Sequence, residues 1–141
     1  MRPPRPPSEI ARELSRFEEL SVVVVGDFFI DEYIEGVMTE ISREGPIPVI
    51  RYESRRRAAG AAGNLASSIR NLGAKVYVVG MVGGDANGGA LRAELDKKGI
   101  ETSGLLVCED QPTFTYTKIR ARVPSSPSRE ILRLDVLPVG P

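Results

Sequence analysis

The residues Ala59-Gly60-Ala61-Ala62-Gly63-Asn64-Leu65-Ala66 are the part of this chain best suited to ligand chemistry. Glycines let the backbone approach a ligand closely and take up positive φ. Asn64 carries two amide donors and a carbonyl acceptor, a set that matches the hydroxyls of a polyol. Leu65, Ala66, Ile69 and Leu72 recur at helical spacing directly afterwards, so the Gly-Ala loop opens a helix predicted over 64–72 and ended by Gly73. A helix N-terminus favours anions and polar ligands.

Two acids stand upstream. Asp27 and Asp31 follow the run Val22 to Val25, and an α/β fold binds ligands just past the C-terminal ends of its strands. Asp31 is a candidate for binding the hydroxyls of a polar ligand, with a surface acid or cap as the competing reading. Asp27 is read the same way, against a simple turn after Gly26. Asn64 has an ordinary helix N-cap as its bland alternative, and Gly60 and Gly63 a tight turn with no ligand. Further on, Lys118 and Arg120 alternate with Ile119 and so share one strand face. A Lys point charge beside an Arg fork suits a phosphate group, though a solvated strand face explains the pair as well. Arg133 and Asp135 pair in the same fashion and read as structural. In Gly83-Gly84-Asp85 the aspartate reads as a helix N-cap rather than part of a phosphate loop. A dinucleotide site is disfavoured because the glycines do not follow the first strand.

The elements that must position these residues alternate strand and helix. Ser8 is placed to cap a helix over 9–20, with Ile10, Leu14, Phe17 and Leu20 on one face. The apolar runs 22–25 and 76–82 have the pattern of strands buried on both faces. Residues 33–57 alternate, as in Val49-Ile50-Arg51-Tyr52-Glu53, and read as antiparallel strands of a lid. The triplet Arg55-Arg56-Arg57 reads as a solvated strand edge or lid, with a phosphate or nucleic-acid contact as the competing reading. A helix is predicted over about 86–98, then strands over 104–108, 113–122 and 131–136. Strand-helix-strand order gives parallel βαβ units, with the inserted strands in a smaller layer.

Composition removes several classes of function. Nineteen basic and nineteen acidic residues leave a net charge of zero, so no global field recruits nucleic acid or membrane. There is no histidine, which excludes Ser-His-Asp, Cys-His and His-metal chemistry within the chain, and no metal site is expected. The single Cys108 cannot form an internal disulfide, which fits a reducing, cytoplasmic setting. No apolar run reaches the length of a membrane span. The Pro- and Arg-rich residues 1–8 are expected to be a disordered tail.

Gly60 to Gly83 resembles the N-terminal signature of the ribokinase-like (PfkB) carbohydrate kinases. Val22-Val23-Val24-Val25-Gly26-Asp27 with Asp31 resembles the first strand and sugar-binding acid of that family. Ile41-Ser42-Arg43-Glu44-Gly45-Pro46-Ile47-Pro48-Val49 is similar to the lid entry of the heptose-7-phosphate kinases, the kinase part of the ADP-heptose synthase enzymes. Pro112 to Arg120 and Leu132-Arg133-Leu134-Asp135 fit the same subfamily. The resemblance runs from about residue 20 to 136. It implies a ribokinase-like three-layer α/β sandwich, represented by its N-terminal half over 9–141, with an inserted β-strand lid at about 33–57 and 113–122. It implies a kinase that transfers the ATP γ-phosphoryl group to a sugar phosphate, a heptose 7-phosphate being favoured. The family's Gly-Ala-Gly-Asp loop, with its catalytic aspartate, does not occur in these residues. No catalytic residue is therefore expected before Pro141, and ATP and Mg²⁺ are expected to be held mainly by a C-terminal half. The substrate-binding set is Asp27, Asp31, Gly60, Gly63, Asn64, Lys118 and Arg120. The family places two adjacent glycines where Gly60-Ala61 stands, which bears on the lid hinge. The alternative is a non-catalytic sugar-binding or regulatory chain, or an interaction fragment that forms a homodimer through its lid strands.

Overall fold

A computed structural model describes residues 6–123 and 126–138. Helix α1 spans Pro7–Ser15 and a 3₁₀ turn spans Arg16–Glu19. Then come β1 Ser21–Val25, β2 Ile30–Ile41, β3 Pro48–Ala59, α2 Ala61–Asn71, β4 Lys75–Gly83, α3 Ala86–Asp96, β5 Glu101–Cys108, β6 Thr115–Arg122 and β7 Arg129–Val136. Two sheets result. The first is parallel, in the order β1-β4-β5; the second is mixed, in the order β3-β2-β6-β7.

The parallel sheet is the body. Val24, Val76, Val78, Val82 and Leu105 point from it into a core closed by Ala66 of α2 and by Leu91 and Leu95 of α3. Burial of these side chains is the main cohesive force of the body. The two βαβ crossovers, β1-(lid)-α2-β4 and β4-α3-β5, put both helices on the same face. The opposite face is uncovered among the described residues: Val23 is 58%, Val25 73%, Met81 65% and Leu106 63% exposed. The expectation that 22–25 and 76–82 are buried on both faces thus holds for one face only. Their sequence is that of a two-sided strand, and cover is present on one side.

Other expectations shift at element ends. The first helix begins at Pro7, whose fixed φ suits the first helical position, so Ser8 lies inside the helix and makes no cap. This also takes Pro7 and Ser8 out of the expected tail; residues 1–5 lie outside the described residues. The predicted apolar stripe on this helix is not buried, since Ile10, Leu14 and Leu20 are exposed and only Phe17 packs on the core. Helix α2 starts three residues before Asn64, with Gly60 as its N-cap, and Gly73 follows its end at φ +104°. There glycine is needed because other residues pay steric strain in the left-handed region.

The lid contains more than the two predicted segments. β2 and β3 pair antiparallel as expected, β6 lies parallel to β2 on the other side, and β7, not foreseen as lid, pairs antiparallel with β6. Asp85 joins lid to body. It caps α3 by accepting from the Gly88 N–H at 2.7 Å, and it also accepts from the Thr113 hydroxyl at 2.7 Å and the Thr113 N–H at 2.9 Å. Burial pulls the Asp85 carboxyl upward, but the bonds from the Thr113 hydroxyl and from the Gly88, Thr113 and Asn87 backbone outweigh it, leaving it below its usual 3.8.

Two outcomes follow from this architecture. A group with a lowered folded-state pKa contributes stability above its unfolded pKa, and that contribution disappears as pH falls through the folded value. Asp85→Asn is therefore expected to lower the urea midpoint at pH 7, and the gap to wild type should close as pH drops below 3.8. A gap independent of pH would remove the carboxylate from the joint. Because one sheet face is apolar and open, the 141-residue chain should bind a hydrophobic dye or associate. Monomeric behaviour by sedimentation with no dye enhancement would contradict that.

Candidate functional site

The site is built where the loop after β1 meets the loop before α2. The Gly60 N–H donates to the Phe29 carbonyl at 2.9 Å, and the Ala62 N–H donates to the Asp27 carbonyl at 3.3 Å. A β-carbon on Gly60 would lie 1.9 Å from the Phe29 ring, so only glycine admits this approach. Phe29 also meets Tyr116 of β6 edge-on, with ring centroids 4.8 Å apart. The glycine loop, the end of β1 and the lid are thus pinned together by one aromatic side chain.

Asp27 is exposed beside an open cleft of about 630 Å³ at the C-terminal ends of the parallel strands. Val25, Val79, Met81, Leu106, Pro112 and Phe114 supply apolar walls. Gln111 also lines it, and its buried Oε1 has no hydrogen-bond partner among the described residues. Asn64 lies on the first turn of α2 with its side chain exposed. Because Gly60 takes the cap position, the simple N-cap reading of Asn64 does not hold. Gly60 and Gly63 are both buried, Gly63 against the Ala59 side chain.

Ala61 is the one described non-glycine residue with positive φ, at +36°. An L-residue there costs roughly 1–2 kcal/mol. The strain falls at the position where two adjacent glycines were expected.

The remaining candidates share one lid face. Asp31 is the second residue of β2, in register with Ala58 on β3 and Tyr116 on β6. The next row on that face is Arg56, Tyr33, Lys118 and Arg133 across β3, β2, β6 and β7. Lys118 and Arg120 do share a face, but each already has a carboxylate. Lys118 Nζ donates to Asp31 Oδ1 at 2.7 Å, and Arg120 pairs with Glu35 at 3.0 Å. The Asp31 bond raises the Lys118 pKa above 10.5, against burial and with help from the Tyr33 hydroxyl. Arg120 also donates to the Ser128 carbonyl, and the Ser128 hydroxyl binds Glu35, so Arg120 is a lid brace. Arg133 and Asp135 pair at 2.6 Å as expected.

One buried acid escaped sequence reading. Glu32, 6% exposed, faces away from this surface and takes Arg57 at 2.8 Å, Arg55 at 3.5 Å and the Thr117 hydroxyl at 3.3 Å. The alternation of Arg55 and Arg57 about Arg56 was its available signal, since residues two apart share a strand face. The edge reading of the triplet holds, because β3 is an outer strand of the lid.

Residues 20–123 match the pfkB family carbohydrate kinase. The chain belongs to that family. It is 36% identical to a protein from Desulfatibacillum aliphaticivorans named Bifunctional protein HldE, over 87% of this chain and 24% of the relative. It is 35% identical to the protein of the same name from Mesorhizobium japonicum, over 98% of this chain and 27% of the relative. The chain therefore spans about a quarter of the length of the curated relatives it matches. A carbohydrate kinase from Agrobacterium tumefaciens superposes with a TM-score of 0.65 at 24% identity, covering 82% of this chain and 34% of that one. Arabidopsis thaliana ribokinase, solved with ribose and ATP, superposes at 0.56 with 24% identity, covering 77% and 34%. The fold is accordingly the ribokinase-like α/β sandwich.

The Ala61 strain gives a direct outcome. Ala61→Gly should raise the unfolding free energy by about 0.5–1 kcal/mol, because relief of the positive φ exceeds the added chain entropy of glycine. A fall in the thermal midpoint would show that Ala61 sits in its loop without strain.

Proposed function

We propose that this chain supplies the acceptor-binding portion of an ATP-dependent carbohydrate kinase whose acceptor is a phosphorylated sugar, a heptose 7-phosphate by its motif resemblance. The observation that carries the reading is the coincidence of the family match over 20–123 with the geometry of the loops. The pinned loops bring Asp27 and the glycine-loop start of α2 to one place, beside a cleft at the strand ends. In open α/β sheets this is where ligands bind.

In that role Asp31 accepts hydrogen bonds from acceptor hydroxyls, and Asn64 pairs with hydroxyls as donor and acceptor at the helix N-terminus. Gly60 and Gly63 keep the loop bare so that the sugar ring can approach. Phosphoryl transfer demands that the acceptor oxygen be held in line with the incoming phosphorus, and positioning supplies much of the catalysis. ATP supplies the transferred group. Among the described residues no group of three His, Cys, Asp or Glu side chains could hold a metal ion, so none is assigned to Mg²⁺ here. The aspartate of a Gly-Ala-Gly-Asp loop, the family's base, is not among the 141 residues.

The uncovered apolar sheet face favours a second reading, in which the chain works as an interaction or regulatory module without turnover. Its two lid edges, β3 and β7, also leave backbone groups free to pair with another chain, and a homodimer is one such assembly.

Calorimetric titration tests the first reading. The chain should bind heptose 7-phosphate without turning over ATP. Asn64→Ala should weaken binding by about 0.5–1.5 kcal/mol, the range for hydrogen bonds to neutral groups, and Asp31→Ala by about 1.5 kcal/mol, the low end for a charged group, because Lys118 already engages that carboxylate. Kinase-rate turnover by the purified chain would place the base within it. Unchanged sugar affinity with only a lowered melting temperature would make Asn64 and Asp31 structural.

A further inference from the structure

Helix α3 and the lid meet in a polar knot that the expected substrate set leaves out. Thr113, only 1% exposed, is its centre. The Thr113 hydroxyl donates to Asp85 Oδ1 at 2.7 Å and accepts from the Gly83 N–H at 2.9 Å. The Thr113 N–H donates to the other Asp85 oxygen at 2.9 Å. From the same helix end, Asn87 Nδ2 donates to the Thr115 hydroxyl at 3.0 Å. That hydroxyl donates in turn to the Thr113 carbonyl at 3.1 Å. The end of β4, the first turn of α3 and the start of β6 are thus tied through two threonines.

The knot stands one residue from the root of the lid. The next carbonyl, that of Phe114, accepts from the Ile30 N–H at 3.0 Å, and β2 and β6 run in parallel from Ile30 and Thr115. Asp31 follows Ile30 and is held again from β6 by Lys118 at 2.7 Å. Asp31 therefore hangs from β6 by backbone and by side chain, and β6 hangs from α3 by Thr113 and Thr115. Asn64 belongs to α2, whose start is fixed by the Gly60 loop instead. The other joint of the lid, Phe29 edge-on to Tyr116, is an apolar ring contact. Hydrogen bonds weaken steeply off axis, so the knot resists a tilt that a ring contact tolerates.

We propose that Asp85, Thr113 and Asn87 are positioning residues for acceptor binding: through β6 they set where Asp31 stands relative to Asn64. The proposal rests on the acceptor-binding reading above, in which lid and body each contribute one of these ligands. None of the three positioning residues has to touch the sugar. Removing the Thr113 hydroxyl strips the Gly83 N–H of its acceptor and Asp85 of one donor. The lid then pivots on Phe29, and Asp31 loses its fixed distance to Asn64.

The test combines titration of the 141-residue chain with heptose 7-phosphate and amide hydrogen exchange. Thr113→Val keeps the shape and removes the hydroxyl, while Thr113→Ser keeps the hydroxyl. Thr113→Val should weaken binding about tenfold, within the range for coupled neighbours, and Thr113→Ser should restore most of it. Asn87→Ala, which removes only the bond to Thr115, should act in the same direction with a smaller loss. The loss must pass through Asp31. Added to Asn64→Ala, Thr113→Val should keep its whole factor; added to Asp31→Ala, it should lose most of it. Exchange in Thr113→Val should quicken at Ile30 and along β6 and stay unchanged in β4 and α2. Equal factors in the two backgrounds, no rescue by serine, or exchange raised alike in lid and body would reduce the knot to general stability and overturn the proposal. Should Thr113→Val fail to fold, Asn87→Ala in the same two backgrounds decides by the same criterion. Wild type that binds the sugar phosphate while the variants behave in any of these contrary ways sinks this proposal alone. Wild type that does not bind it sinks the acceptor reading, and this proposal with it.

Discussion

The contact between the Phe29 ring and the bare backbone of Gly60 is the constraint on which the rest of the arrangement depends. Any side chain at 60 would occupy the volume of the ring. With the ring in place, the Gly60 N–H reaches the Phe29 carbonyl, α2 begins at Ala61, and Asp27 is fixed beside the first turn of that helix. The same ring meets Tyr116, so the base of the lid is set relative to the body by a single side chain. A second joint, Asp85 with Thr113, holds the lid from the α3 side. Between two such joints the lid has a defined root at Ile30 and Ala59, while the far ends of β2 and β3 extend away from the core.

Local chemistry made much of this legible in the sequence. The β-branched runs, the Gly73 stop and the Asp85 cap are nearest-neighbour signals, and strand and helix order followed from them. The open face of the parallel sheet was half legible: Val23 and Val25 have the composition of buried residues, but composition does not say which neighbour covers them. Helix α1 failed for a related reason. Its amphipathic spacing is real, yet nothing in the described residues receives Ile10 and Leu14. The membership of β7 in the lid follows from its antiparallel pairing with β6, the strand just before it in the chain, a neighbour pairing that the two adjacent strand runs could have signalled.

The site was legible as residue types and less so as pairings. Asp31 and Lys118 entered the argument as separate ligands for a hydroxyl and a phosphate, and the structure joins them at 2.7 Å. That changes their energetics. A carboxylate already bonded to an ammonium accepts a new hydroxyl at lower gain, and a ligand phosphate must compete with Asp31 for Lys118. The pair is only partly shielded, with both side chains 22% exposed, so its own contribution to stability is modest. The pair also holds Lys118 above the Tyr33 ring.

Buried Glu32 shows the opposite economy on the reverse face of the same strand. An acid that is 6% exposed would be costly alone, and two guanidinium groups and a hydroxyl meet it. Strand alternation thus divides the Arg55-Arg56-Arg57 triplet into two functions: Arg55 and Arg57 satisfy Glu32, and Arg56 alone points to the face that carries Asp31. A one-residue slip of β3 against β2 would exchange those assignments, leaving Glu32 with a single cation and placing two on the open face. The bulge between Glu35 and Gly36 lies beyond these rows, so the register from Ile30 to Glu35 is uninterrupted. Register at the root of the lid is therefore what separates the arginines that satisfy Glu32 from the one that stacks on Tyr33, and the Phe29–Gly60 contact, immediately preceding that register, is what holds it.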